Sequence, residues 1–140
     1  MIMRMNLFVS YIHFGKIINN MTKEEKELLI KDLCARLPYG TKVCYRLSDK
    51  DKYTTETLSG HMLDYFNENS IIEVKPYLRP MSSMTDEEFK TYEYFLDEDG
   101  LIDCSVDVYV DWLLEGYFDF RGLIPKGLAL EAPEGMYVIK

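Results

Sequence analysis

Two Thr-x-x-Glu signatures, Thr22 to Glu25 and Thr85 to Glu88, fix where helices begin in this 140-residue chain and confine what can lie between them. In each, the threonine hydroxyl accepts from the N–H three residues on while the glutamate reaches back to the threonine N–H. This capping box satisfies two of the donors that a helix start leaves bare. Glu24 and Glu25 add negative charge where a helix N-terminus favours it. Behind the first box, Leu29, Ile30, Leu33, Cys34 and Leu37 predict one buried stripe, stopped by Pro38-Tyr39-Gly40. Cys34 falls in that stripe and reads as a core thiol. Behind the second, Phe89, Tyr92, Phe95 and Leu96 form an apolar face that ends near Asp97-Glu-Asp-Gly100, with Gly100 as a left-handed cap.

The residues between the boxes alternate as strands do. Val43, Tyr45 and Leu47 oppose Lys42, Cys44 and Arg46; a threonine-rich strand is expected through Tyr53 to Met62 with a bend at Gly60; and Ile71 to Val74 gives a third, ended by Lys75-Pro76. Three strands in about 35 residues predict a small, bent antiparallel sheet, with an SH3-like open barrel as one form of it. Tyr77 to Met84 then reads as an extended connector, because each proline keeps its predecessor out of the helical region. It suits either packing across the end of the sheet or a peptide-like contact site built on Tyr77, Arg79 and Met81.

Past the second box, Val106, Tyr109, Val110, Leu113 and Tyr117 share a helical face, although Val106, Val108 and Val110 also fit a strand; length favours helix. Trp112, Tyr117, Phe118 and Phe120 concentrate large side chains, each able to bury about 150–250 Å², so core energy is expected there with Trp112 largely buried. Leu123 to Ala129 reads as an apolar turn around Pro125 and Gly127, and Met136 to Ile139 as a closing strand. The fold class is therefore α+β: a sheet with an N-terminal helix and a C-terminal helical segment in one domain over residues 21–140.

Residues 1–20 begin with Arg4 ahead of an apolar run, but Asn6, Ser10 and His13 interrupt it and no small-residue cleavage site follows. The stretch is too short and polar to span a membrane. It reads as an extension outside the core, with Met21 as the working start and a membrane-surface helix as the alternative. The three cysteines, Cys34, Cys44 and Cys104, are odd in number and widely spaced, which suits free thiols in a reducing, cytoplasmic setting.

The net charge of −8 is unevenly placed: residues 53–140 carry 6 basic and 18 acidic groups, a balance of −12. Such a surface repels phosphates, so nucleic acid is not an expected ligand. With two histidines, His13 and His61, and no paired close ligands, no zinc site is expected. Calcium fares no better. Aligning Gly100 with the glycine of an EF-hand loop sets Asp97 and Asp99 third and fifth, but leaves Phe95 first and Val106 twelfth, where a carboxylate and a bidentate glutamate belong. Phosphate loops, nucleophile elbows and HExxH are absent, so no catalytic residue and no cofactor is assigned.

The phrases Met21-Thr-Lys-Glu-Glu25, Leu33-Cys-Ala-Arg-Leu-Pro-Tyr-Gly40, Lys75-Pro-Tyr-Leu-Arg-Pro-Met-Ser-Ser-Met-Thr85, Phe118-Asp-Phe-Arg-Gly-Leu-Ile124 and Gly127-Leu-Ala-Leu-Glu-Ala-Pro-Glu-Gly-Met-Tyr137 carry a resemblance. Over roughly residues 21–140 the chain resembles an uncharacterised family of small proteins from gut anaerobic bacteria and their phages. The resemblance implies a phage or mobile-element origin and a start equivalent to Met21, and attaches no activity.

These readings point to a non-enzymatic interaction module with a protein partner. Its contact residues would be Tyr77, Tyr94 and Tyr137, tyrosine being enriched at interfaces, together with Arg79, Met81, Asp97 and Asp99. Two alternatives stand beside it. One is an acidic mimic of nucleic acid that blocks a DNA-binding protein; the other is an enzyme using Asp97, Asp99, Asp103 and Asp107, with His61, for general acid–base work. A run of carboxylates beside a helix start is more often solvated surface.

Overall fold

A computed structural model describes residues 20–67 and 71–138. In chain order the described elements are helix α1 (Lys23–Arg36), strands β1 (Lys42–Arg46) and β2 (Thr54–Thr57), helix α2 (Gly60–Asn67), strand β3 (Glu73–Leu78), helices α3 (Asp86–Tyr94) and α4 (Val106–Glu115), and strand β4 (Leu130–Glu131). Short 3-10 turns lie at Leu37–Tyr39 and Met81–Ser83. Both capping boxes form. Thr22 and Thr85 Oγ1 each accept the N–H of their glutamate at 3.1 Å, and each glutamate accepts the threonine N–H at 2.9 Å. The expectation for residues 1–20 falls, apart from exposed Asn20, outside the described residues.

The chain adopts the α+β class. Its sheet is open, in the order β2-β1-β3-β4. β1 is antiparallel to both neighbours, with Cys44 opposite Thr55 on one side and Lys75 on the other. β4 runs parallel to β3, pairing Leu130 with Tyr77 and Glu131 with Leu78, so the sheet is mixed where the sequence suggested antiparallel pairing throughout. The chain returns to β3 only after α3 and α4, a long crossover of the kind that parallel neighbours need. The closing strand thus comes from Leu130–Glu131, and residues 136–138 form none.

Two further elements differ from the sequence reading. The expected strand through Met62 stops at Thr57, and α2 takes over because Leu58, Met62 and Phe66, each four residues apart, all reach the core. β3 starts at Glu73 and continues through Pro76 to Leu78, with Pro76 opposite Val43 in the last pair of the β1 register. The main core joins Leu29 and Leu33 of α1 and Val43 of β1 to Leu58, to Met62 and Phe66 of α2, and to Ile71 and Val74. A second cluster, Leu78, Leu123, Leu128 and Ala129, lies under β4, and Met21 packs against both.

The buried face of α1 is Leu29, Asp32, Leu33 and Arg36, and Cys34 is exposed. Arg36 Nε lies 2.7 Å from Asp32, Arg121 Nη1 lies 2.7 Å from the other Asp32 oxygen, and Arg36 Nη2 donates to the Phe118 carbonyl at 2.8 Å. A paired buried charge therefore takes the place of the apolar side chains that the stripe predicted, and turns Cys34 outward. Downstream, Phe118 is the fully buried aromatic of its cluster while Trp112 is only half-buried, stacked on Phe118 at 5.6 Å. α4 commits Leu113 and Leu114 to the interior, which leaves the neighbouring Trp112 at the margin. No helix among the described residues is long and apolar enough to cross a membrane.

Candidate interaction surface

Arg79, expected as an exposed contact residue, is buried at the junction of β3, α3 and α4. Its two terminal nitrogens fork onto the Glu88 carboxylate at 2.9 and 2.7 Å, and Nη1 also donates to the Gly116 carbonyl at 3.1 Å. The guanidinium lies 4.4 Å from the centre of the Phe118 ring. Its backbone N–H donates to Tyr117 at 2.7 Å and its carbonyl accepts from Asp119 at 2.8 Å. The hydrogen bond from Arg79 holds the Glu88 carboxyl below its ordinary value of 4.5, against the opposing effect of burial. Arg79 fixes where the first turn of α3 sits against the last turn of α4.

Tyr77 and Tyr137 are brought together, also as internal partners. The Tyr137 hydroxyl donates to the Tyr77 carbonyl at 2.8 Å and accepts the Lys42 N–H at 2.8 Å, and burial pushes its pKa up to about 12. Its ring stacks on Tyr117 at 3.7 Å and 7°. Tyr117 has left-handed backbone, φ 61°, and donates its hydroxyl to the Tyr39 carbonyl at 2.8 Å. Met81 opens a 3-10 turn and is partly buried.

Two clefts open on either side of Arg79. The smaller, about 300 Å³, lies between Arg79, Pro80, Ser83 and the turn at residues 131–135. The larger, about 1040 Å³, runs between α3 and α4 and is lined by Glu87, Glu88, Thr91, Trp112 and Glu115, with Tyr39 at one side. Tyr39 donates to Asp111 at 3.2 Å; burial first, then Asp111, raises its pKa.

The stretch from α3 through α4 is also strongly acidic. Residues 86–115 hold eleven acidic groups and one basic group, Lys90. The same stretch exposes Phe89 (51%), Tyr94 (85%), Leu101 (64%) and Val108 (53%), along with Ile102 and Val106. The rings of this stretch form a continuous array: Phe89–Tyr92 at 6.4 Å, Tyr92–Trp112 at 6.5 Å and Phe95–Trp112 edge-on at 5.6 Å.

No family model, curated protein or solved structure matches this chain.

Of the expected contact residues, Tyr94, Asp97 and Asp99 lie at the far end of α3 and line neither cleft. Asp97 is spent on its own loop, its Oδ1 accepting the Asp99 and Leu101 N–H groups at 2.9 Å each, with Gly100 at φ 79°. Gly100 is thus left-handed as expected, but it turns a loop closed by the Leu96–Ile102 bridge and does not end α3 directly. Asp97, Asp99, Asp103, Asp107 and His61 are all exposed and none lines a cleft. Among the described residues no group of three or more His, Cys, Asp or Glu could hold a metal.

Sequence reasoning missed a second ionic cluster, on the sheet. Glu73 is buried and accepts from Arg46 Nη2 at 2.8 Å and from the Tyr53 hydroxyl at 3.1 Å, and lies 3.3 Å from Lys75 Nζ. Burial lowers the Lys75 pKa against Glu73, and burial together with Glu73 raises Tyr53 to about 12. Neither cleft reaches these groups, and the arrangement is a satisfied structural pair. The Arg79–Glu88 fork was missed because neither hydrophobic periodicity nor spacing marks an ion pair across a connector.

Proposed function

We propose that this chain is a non-enzymatic interaction module of phage or mobile-element type, acting in the cytoplasm, that binds a basic protein partner. One observation carries the reading: residues 86–115 hold eleven acidic groups against one basic and expose Phe89, Tyr94, Leu101, Ile102, Val106 and Val108. Exposed apolar side chains among acidic ones supply contact area, and a single-sign field steers an opposite charge to them. In the cleft, Glu88 is held ionised by Arg79, so it serves as half of a structural pair and is poorly suited to donate a proton. The origin in a mobile element rests on the resemblance alone.

A second reading, an acidic competitor of nucleic acid, is favoured by Asp107, Asp111 and Glu115, which fall four residues apart on the exposed side of α4. Both readings require a basic partner, and one experiment separates them. Tagged chain is incubated with host lysate at about 50 mM salt and washed at about 200 mM, a range over which charge-driven contacts weaken strongly. A basic protein retained at low salt supports the module, and its displacement by duplex DNA supports the competitor. Retention of nothing at low salt overturns both.

A further inference from the structure

We propose that the Asp99–Gly100 peptide is a site of spontaneous covalent modification, at which Asp99 becomes isoaspartate at a rate held down by Asp97. Asp99 is the one aspartate in the chain that precedes a glycine, and no asparagine does. Both residues are exposed, and the place where a Cβ would stand on Gly100 is clear to 4 Å. The Gly100 nitrogen is therefore free of the side chain that elsewhere crowds the nitrogen after an aspartate. The two neighbouring carboxylates differ. That of Asp97 accepts the Asp99 and Leu101 N–H groups, while that of Asp99 accepts no hydrogen bond from the described residues. In the reaction the Gly100 nitrogen bonds to Asp99 Cγ and gives up its proton, and one carboxyl oxygen leaves as water, closing a five-membered succinimide. Water then adds to either ring carbonyl. Opening at the side-chain carbonyl returns aspartate; opening at the main-chain carbonyl routes the backbone through the Asp99 side chain and frees an α-carboxylate.

The folded turn opposes this step. The Gly100 N–H donates to the Asp97 carbonyl at 3.0 Å, and the Asp97 N–H donates to the Leu101 carbonyl at 2.7 Å. Attack requires the Gly100 nitrogen to leave its acceptor, so the turn must open locally before the ring can close. Two of the bonds that keep it shut come from the Asp97 side chain, one on the peptide before the reacting one and one on the peptide after it. Asp97 is thus a positioning residue that guards its neighbour. The product carries one more backbone atom between Asp99 and Gly100, inside the loop that sets Asp103 N–H on the Phe95 carbonyl at 2.8 Å. Modification therefore loosens the join between α3 and α4.

The full chain is aged in neutral buffer at physiological temperature. Isoaspartate is counted by methyl transfer from labelled S-adenosylmethionine with purified isoaspartyl methyltransferase, and placed by peptide mapping. Label is expected at residue 99. Asp99→Glu should abolish it there, because the ring would need a sixth member. Asp97→Ala should accelerate it about tenfold, equivalent to about 1.4 kcal/mol less to open the turn. Asp97→Asn should keep the parent's rate, since its amide oxygen can accept the same two N–H groups. The Asp97 side chain bonds only within its own loop, so the melting temperatures of both variants should stay near the parent's. In the modified fraction, hydrogen exchange at the Asp103 N–H should quicken. Absence of isoaspartate at residue 99 from both the parent and Asp97→Ala overturns the proposal, as does label that survives Asp99→Glu. Equal rates in the parent and Asp97→Ala, or an acceleration shared by Asp97→Asn, overturn the guarding role of Asp97 and the proposal with it.

Discussion

At the scale of single residues, Arg79 carries more of the architecture than its polarity suggests. Its fork onto Glu88, its bond to the Gly116 carbonyl and its place over Phe118 are made in a site where removing one charge strands the other. Breaking such a buried pair costs about 3–5 kcal/mol, so Arg79→Leu should lower stability by that order in urea unfolding. Arg79→Lys should restore little, since one ammonium cannot reproduce a planar fork. Unfolding midpoints of the two variants that differ widely would refute the geometry. Glu88 gives the same contact a pH signature. Its folded pKa lies below 4.5, so the stability it contributes is fully present above that value and is lost as pH falls through the lowered folded one. Glu88→Gln should flatten this part of the stability–pH curve in acid titrations followed by circular dichroism, while leaving the neutral region sloped as before. None of this was legible in the sequence. Arg79 reads as a surface residue because it is charged and flanked by proline, and Asp32 and Arg36 broke the apolar stripe of α1 for a related reason: buried charge looks like exposed charge until its partner, here Arg121, is placed.

Elements were more legible where the backbone leaves its own signature. The capping boxes at Thr22 and Thr85 are local chemistry, complete within four residues, and both helices begin where they said. The helix over Val106–Glu115 followed from length and face. By contrast α2 was hidden by Gly60 and by the threonines before it, whose β propensity is real for Thr54–Thr57 and was carried too far. The two-residue β4 has no periodicity to detect; it follows directly on Leu128 and Ala129, which share one core with Leu78 and Leu123. Thr85→Ala tests an element whose start was visible. Loss of the cap should cost about 1 kcal/mol. Because Glu88 also holds Arg79, the helix start should survive, and hydrogen exchange should quicken at Glu88 N–H while Arg79 N–H, bonded to Tyr117, stays protected. Equal acceleration at both would mean that the cap and the ion pair open together.

For the molecule as a whole, the single basic group among the acids of α3 and α4 was readable as composition, but the packing of the two helices on each other across the loop at residues 97–103 was not. That loop is exposed throughout, and the contacts that cross it are many. Arg121 reaches Asp32, Tyr137 reaches Tyr77 and Lys42, and β4 completes the sheet beside β3. The main core lies wholly before Glu98, but the second cluster joins Leu78 to Leu123, Leu128 and Ala129 across it, so the later half is completed by the earlier one. A chain cut between Glu98 and Asp99 should elute as one species in native gel filtration and part into two in denaturant; separation without denaturant would contradict the interlock. Because β4 and the cluster around Leu123 find their partners only in the earlier half, the parallel strand pair makes the protein separable into two complementary fragments, whose reunion could serve as a split reporter of whatever brings them close.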